Sequence, residues 1–102
     1  MSSNAKPESI NFLVYLQDLI DKRKVEMPEG SYTSRLFQKG LNHVAKKVGE
    51  EAVELVIESS GNNDNLLLNE AADLIYHVLV LLSARNCRIE DVVEVLKLRH
   101  KK

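Results

Sequence analysis

Five acidic side chains stand at helical spacing in this chain, and they are the residues best placed to do chemistry. Glu50, Glu51 and Glu54 read Glu-Glu-x-x-Glu in KKVGEEAVEL, and Glu70 and Asp73 read Glu-x-x-Asp in LLLNEAADLIYH. Side chains three and four apart lie on one helix face. Between the two groups stands a turn signal, Gly61-Asn62-Asn63. Two antiparallel helices joined there can present carboxylates to one shared space. Hard divalent cations such as Mg²⁺ take oxygen ligands of this kind, and bound Mg²⁺ commonly works on phosphates.

The second group is the more telling. From Leu66 to Ala84 the chain is apolar nearly all round, which is the composition of a buried helix. Glu70, Asp73 and His77 fall in one stripe about 60° wide at roughly 100° per residue. Buried carboxylates need a partner charge or a metal. Acids near a helix start also suit its dipole. With a start near Asn65, that accounts for Glu70 in part and for Asp73 poorly.

On the helix from about Leu41 to Ser60, one apolar stripe runs through Leu41, Val44, Ala45, Val48, Ala52, Leu55 and Val56. Glu51 and Glu54 flank it, with Lys47 and Glu58 on the same side, while Glu50 points further round. Taken alone, glutamates beside a stripe are a solvated helix edge, and short motifs match by chance. Combined with Glu70 and Asp73, Glu51 and Glu54 read as inner ligands and Glu50 as a peripheral one. Val53 and Ile57 form a second apolar pair on the opposite face.

The elements that must position these groups are all helical. A helix with Pro7 and Glu8 in its first turn runs to about Lys24, after a polar, frayed tail at residues 1–6. Pro28 and Gly30 break it. Ser31-Tyr32-Thr33-Ser34 offers capping hydroxyls for a short helix ending at Gly40. The third helix follows, then the Gly61–Asp64 turn and a fourth helix from Asn65 to about Arg85. A break at Asn86-Cys87-Arg88 precedes a last helix from Ile89 to about His100. No segment has strand periodicity. The fold class is all-α: a small helical bundle with a central antiparallel helix pair, completed by dimerisation.

Composition excludes several functions. The 102 residues make one domain. A chain this short buries roughly 60–70% of its unfolded surface, too little to cover two apolar helix faces without a second subunit. The formal net charge of −1 creates no global field for nucleic acid. Cys87 stands alone, so there is no disulfide framework, and a reducing, cytoplasmic setting fits. It reads as an inert thiol. The start, MSSNAKPESINF, lacks an apolar signal core. The uninterrupted apolar run Val78 to Leu82 is too short for a bilayer. No nucleic-acid or membrane partner is expected.

Other chemistry is thinner. Arg35, Lys39, Lys46 and Lys47 precede the carboxylates and either bind substrate phosphates or are ordinary surface charge. Ser31 and Thr33 sit where a helix N-terminus favours anions. His77, one turn after Asp73, reads as a base, a ligand, a partner to a ligand, or a satisfied core histidine. His43 and His100 read as surface residues. Lys97, Arg99, Lys101 and Lys102 form a basic tail that suits a helix C-terminus.

The pattern Glu-Glu-x-x-Glu, then Glu-x-x-Asp, resembles the all-α nucleoside triphosphate pyrophosphohydrolase superfamily, the MazG-like group. The flanking segments are more specific. Ser31 to Gly40, Lys47 to Glu54, Glu70 to His77, Ile89 to Val93 and Arg99-His100 resemble phosphoribosyl-ATP pyrophosphohydrolase. The resemblance covers nearly the whole chain from about residue 10, and it looks like the stand-alone form, with no cyclohydrolase domain ahead of it. It implies the second step of histidine biosynthesis: phosphoribosyl-ATP and water give phosphoribosyl-AMP and pyrophosphate. It also implies a Mg²⁺-dependent, cytoplasmic, dimeric helical enzyme using Mg²⁺-activated water at the α-phosphorus. Carried onto this chain, the metal and catalytic carboxylates are Glu50, Glu51, Glu54, Glu70 and Asp73. Separately from the resemblance, Glu50, pointing away from the inner pair, reads as the carboxylate that takes the proton. Arg35, Lys39 and Lys47, with Ser31 and Thr33, fall in the expected substrate region. Two rival readings stay open. One is a pyrophosphohydrolase for other nucleoside triphosphates. The other is a non-catalytic helical dimer that binds a protein partner or carries a phosphate on His77.

Overall fold

The computed structural model describes residues 7–101; the expected frayed tail at residues 1–6 lies outside the described residues. Five helices follow in order: α1 (Pro7–Glu26), α2 (Tyr32–Lys39), α3 (Leu41–Ser59), α4 (Asp64–Ala84) and α5 (Ile89–Arg99). The fold is all-α, with no strand among the described residues.

Local chemistry explains the breaks. α1 runs two residues past Lys24, then Met27 turns to a φ of 48° ahead of Pro28. Ser31 caps α2 by accepting a bond from the Ser34 N–H at 3.1 Å. Gly40 separates α2 from α3 at a φ of 98°, a conformation L side chains rarely adopt. Asn63 caps α4, its Oδ1 accepting from the Leu66 N–H at 3.1 Å. α4 therefore starts one residue earlier than expected. At the start of α5 the Asp91 Oδ2 accepts from the Arg88 backbone N–H at 2.9 Å. The remaining one-residue differences are ordinary fraying.

α3 and α4 form the most extensive helix pair, α1 crosses α4, and α2 bridges α1 and α3. The core is Ile20, Leu36, Val44, Leu79 and Val80, with Leu13, Leu16, Phe37 and Tyr76 packed around it. Gln17, fully buried, locks three helices together. Its Nε2 donates to the Leu79 carbonyl at 3.1 Å, and its Oε1 accepts from the Ile89 N–H at 2.9 Å. Arg88 adds a clasp from the α4–α5 turn to Asp18 and Asp21 of α1, at 2.6 and 2.8 Å.

Two packing expectations need correction. α4 was expected to be buried throughout, yet within one chain its buried residues are His77, Leu79, Val80 and Ser83. Leu68 is 64% exposed, and Leu66 and Ile75 are exposed as well. On α3, Val56 of the expected stripe is 67% exposed, whereas Glu51 is only 7% exposed. The cause is coverage. Among the described residues, the side-chain hydrogen bonds joining α1 or α2 to α4 all land at Tyr76 or beyond. The turn end of the hairpin has no such cover.

α4 is long and apolar enough by composition to cross a membrane. A core helix passes the same test. This one packs against α1 and α3 and carries Glu70, Asp73 and His77 at its middle.

Candidate metal centre and anion pocket

The hairpin brings Glu51 of α3 against Glu70 and Asp73 of α4. One carboxylate oxygen from each lies within 4.8 Å of the others. Oε1 of Glu51 and Oε1 of Glu70 are buried with no hydrogen-bond partner. Orphaned, desolvated carboxylate oxygens are costly, and three of like charge more so. The donor set fits a hard divalent cation, which takes carboxylate oxygens.

The five acids are not equivalent. Glu54 lies against Glu70 and, through a hydrogen bond, is the main cause of Glu70's carboxyl being pushed above the usual range; burial and the charges of Glu54, Asp73 and Glu51 add to it. Glu50 stands outside the trio. Lys47 Nζ lies 3.5 Å from Glu50 Oε1 and 3.5 Å from Glu51 Oε2. Burial opposes the charge on Lys47, but Tyr32, Glu51 and Glu50 outweigh it and hold its pKa above the ordinary value.

Beside the acids is a cavity of about 300 Å³ lined by Tyr32, Arg35, Leu36, Lys39, His43, Lys47 and Glu50. Arg35 and Lys39 are four apart on α2, and His43 and Lys47 four apart on α3, so each pair shares a face. His43 was read as a surface residue and belongs to this cavity instead. Its signal in the sequence was the four-residue spacing to Lys47. Lys47 touches both the cavity and the acidic trio.

The hydroxyls of Ser31 and Thr33, expected at the substrate, are engaged within the chain. Thr33 is buried at 5% exposure and hydrogen-bonded to the Tyr76 hydroxyl. Ser31 spends its oxygen on the Ser34 N–H. Neither lines the cavity. Both set the position of α2, because a short helix carrying two cavity cations has to be anchored at its start. His77 is buried, with Nδ1 2.7 Å from the Asp73 carbonyl and Nε2 2.8 Å from the Tyr32 hydroxyl. Both ring nitrogens are satisfied within the chain, which leaves neither free as a ligand.

The helical hairpin thus sets clustered carboxylates beside a cavity lined by basic side chains. Residues 13–100 match the phosphoribosyl-ATP pyrophosphohydrolase family, and the chain belongs to it. It is 55% identical over 93 residues to the histidine biosynthesis bifunctional protein HisIE of Bacteroides thetaiotaomicron, covering 91% of this chain and 46% of that one. It is 46% identical over 87 residues to phosphoribosyl-ATP pyrophosphatase of Clostridium acetobutylicum, covering 85% of this chain and 79% of that one. HisIE of Bacillus subtilis is 48% identical over 85 residues, or 83% of this chain and 41% of that one. The chain spans about half the length of the bifunctional curated relatives it matches.

Proposed function

We propose that this chain hydrolyses phosphoribosyl-ATP to phosphoribosyl-AMP and pyrophosphate, the second step of histidine biosynthesis. The observation that carries the reading is a three-carboxylate cluster joined through Lys47 to a cavity of four basic side chains, in a chain of this family. Glu51, Glu70 and Asp73 would hold Mg²⁺, with Glu54 and Glu50 beside them. When bound, Mg²⁺ supplies charge neutralisation and water activation near neutral pH. Arg35, Lys39, His43 and Lys47 bind the phosphates through charge-assisted bonds and stabilise the negative charge that grows as pyrophosphate leaves the α-phosphorus. Glu50 lines the cavity outside the trio, where its carboxylate accepts the proton of the attacking water. Pyrophosphate release with Mg²⁺, compared for phosphoribosyl-ATP and ordinary nucleoside triphosphates, tests the reading. Equal turnover of ordinary triphosphates would replace it with a general pyrophosphohydrolase. The phosphorylated nucleotide substrate and the single free thiol, Cys87, are consistent with a cytoplasmic location.

Specificity belongs to the cavity, because the carboxylates need only a triphosphate. The extra phosphoribosyl phosphate is the group that a second set of cations can recognise. Arg35→Ala or Lys39→Ala is expected to raise KM for phosphoribosyl-ATP about tenfold, as a charge-assisted contact of roughly 1.5–3 kcal/mol is lost. Weak activity on ATP should fall much less. Proportional loss on both substrates would move these residues to the shared triphosphate.

The functional unit in this reading is a homodimer. Val53, Val56 and Ile57 of α3 and Leu66 and Leu68 of α4 are exposed at the turn end of the hairpin, and a second copy would cover them. The melting temperature should then rise with protein concentration. Sedimentation as a stable, folded monomer at micromolar concentration would reject the dimer.

A further inference from the structure

The start of α2 and the middle of α4 are joined by a reciprocal clasp. Tyr32 of α2 reaches His77 of α4, and Tyr76 of α4 reaches Thr33 of α2. The proton positions follow from the partners. The Asp73 carbonyl only accepts, so the His77 Nδ1 that faces it carries a proton. Nε2 of the neutral ring is then a lone pair, and it takes the Tyr32 O–H. The His77 ring stands edge-on to both tyrosines, with centroids 5.8 Å apart and interplanar angles of 83° and 84°.

This arrangement decides what Tyr32 shows to the anion cavity. Its hydroxyl bonds His77, which fixes the ring, and Tyr32 is among the residues that line the cavity. The Arg35 guanidinium carbon sits 6.0 Å from the centre of that ring, within reach of cation–π attraction. His77 itself does not line the cavity.

We propose that His77 is a positioning residue for anion binding. Through Tyr32 it holds Arg35 over the cavity, and through the Asp73 carbonyl it ties that hold to the part of α4 that bears Glu70 and Asp73. The proposal rests on the phosphate-binding role of the cavity given above, and not on which nucleotide is the substrate.

Calorimetric titration of metal-free protein with inorganic pyrophosphate reads the cavity without turnover. Tyr32→Phe keeps the ring and drops the hydroxyl. His77→Asn keeps a donor near the place of Nδ1, and His77→Gln extends an amide toward the place of Nε2. The Kd for pyrophosphate is expected to rise about fivefold or more in Tyr32→Phe and in His77→Asn, with no further rise in the double variant, because linked residues are non-additive. His77→Gln should restore Kd to within about twofold of wild type, a rescue that a purely structural role would not produce. Urea unfolding of each variant establishes that it is folded under the titration conditions. Unchanged Kd in the single variants, losses that multiply in the double, or a folded Gln variant as weak as the Asn one would overturn the proposal. So would a wild-type protein that binds no pyrophosphate. Failure to turn over phosphoribosyl-ATP would instead overturn the proposed reaction and leave the titration to judge the clasp.

Discussion

Asp73→Asn and Glu51→Gln are each expected to lower Mg²⁺-dependent turnover by at least about a hundredfold, the scale of losing one preorganised electrostatic partner, with helical content unchanged. Each swap keeps side-chain shape and removes a charge from the trio in which the ligand oxygens lie within 4.8 Å of one another. Circular dichroism with pyrophosphate release separates chemistry from folding. Glu54→Gln belongs to the same series, since Glu54 touches Glu70. Near-wild-type turnover in Asp73→Asn and Glu51→Gln would remove the metal centre from this site.

The same cluster has a consequence for stability. Glu70's carboxyl is raised, first by the hydrogen bond to Glu54, then by burial and neighbouring charge. A raised carboxyl binds its proton more tightly in the fold than in the unfolded chain. Its stabilising contribution is full below the ordinary glutamate value and lost as pH rises through the raised one. Glu70→Gln should therefore raise the melting temperature of metal-free protein at neutral pH. The gain should shrink as pH falls toward the ordinary glutamate range. A gain independent of pH would show that charge repulsion is not its source.

The second large effect is far from the chemistry. Gln17→Ala is expected to destabilise the fold by about 3–5 kcal/mol, lowering the melting temperature by roughly 12 °C or more at fixed protein concentration. The Ile89 N–H loses its partner, and the Leu79 carbonyl loses the bond it accepts from Gln17 in addition to its helical one. The N–H opens α5, where no intrahelical acceptor exists for it. A cavity is left in a fully buried position as well. Gln17→Leu separates the two causes, since it fills much of the space but cannot bond. A Leu variant as stable as wild type would mean that Gln17 matters by volume alone.

Much of the fold was legible because it is local. Helix periodicity, the Ser31 cap and the breaks at Pro28–Gly30, Gly40 and Gly61–Asn63 depend on near neighbours, and they place the helix boundaries to within a residue or two. Family membership was legible for the same reason, as contiguous runs such as Lys47 to Glu54 and Glu70 to His77. The i, i+3 and i+4 spacing puts Glu70 beside Asp73, and Glu51 beside Glu54, on their own helices. It cannot say which of these side chains will be desolvated.

That choice depends on how α3 is rotated against α4 and on where α1 and α2 give cover. Rotation turns Glu51 rather than Val56 into the packed face, brings it to Glu70 and Asp73, and leaves Glu50 on Lys47. The return of α2 across α3 brings Arg35 and Lys39 alongside His43 and Lys47, which periodicity within either helix cannot reveal. The seating of α2 on α4 spends Thr33 on Tyr76 and His77 on Tyr32, so these polar residues became anchors. A helix period specifies neighbours on one rod. Burial and convergence depend on the distances and angles between rods, and those are set by side chains far apart in the chain, such as Gln17, Leu79 and Ile89.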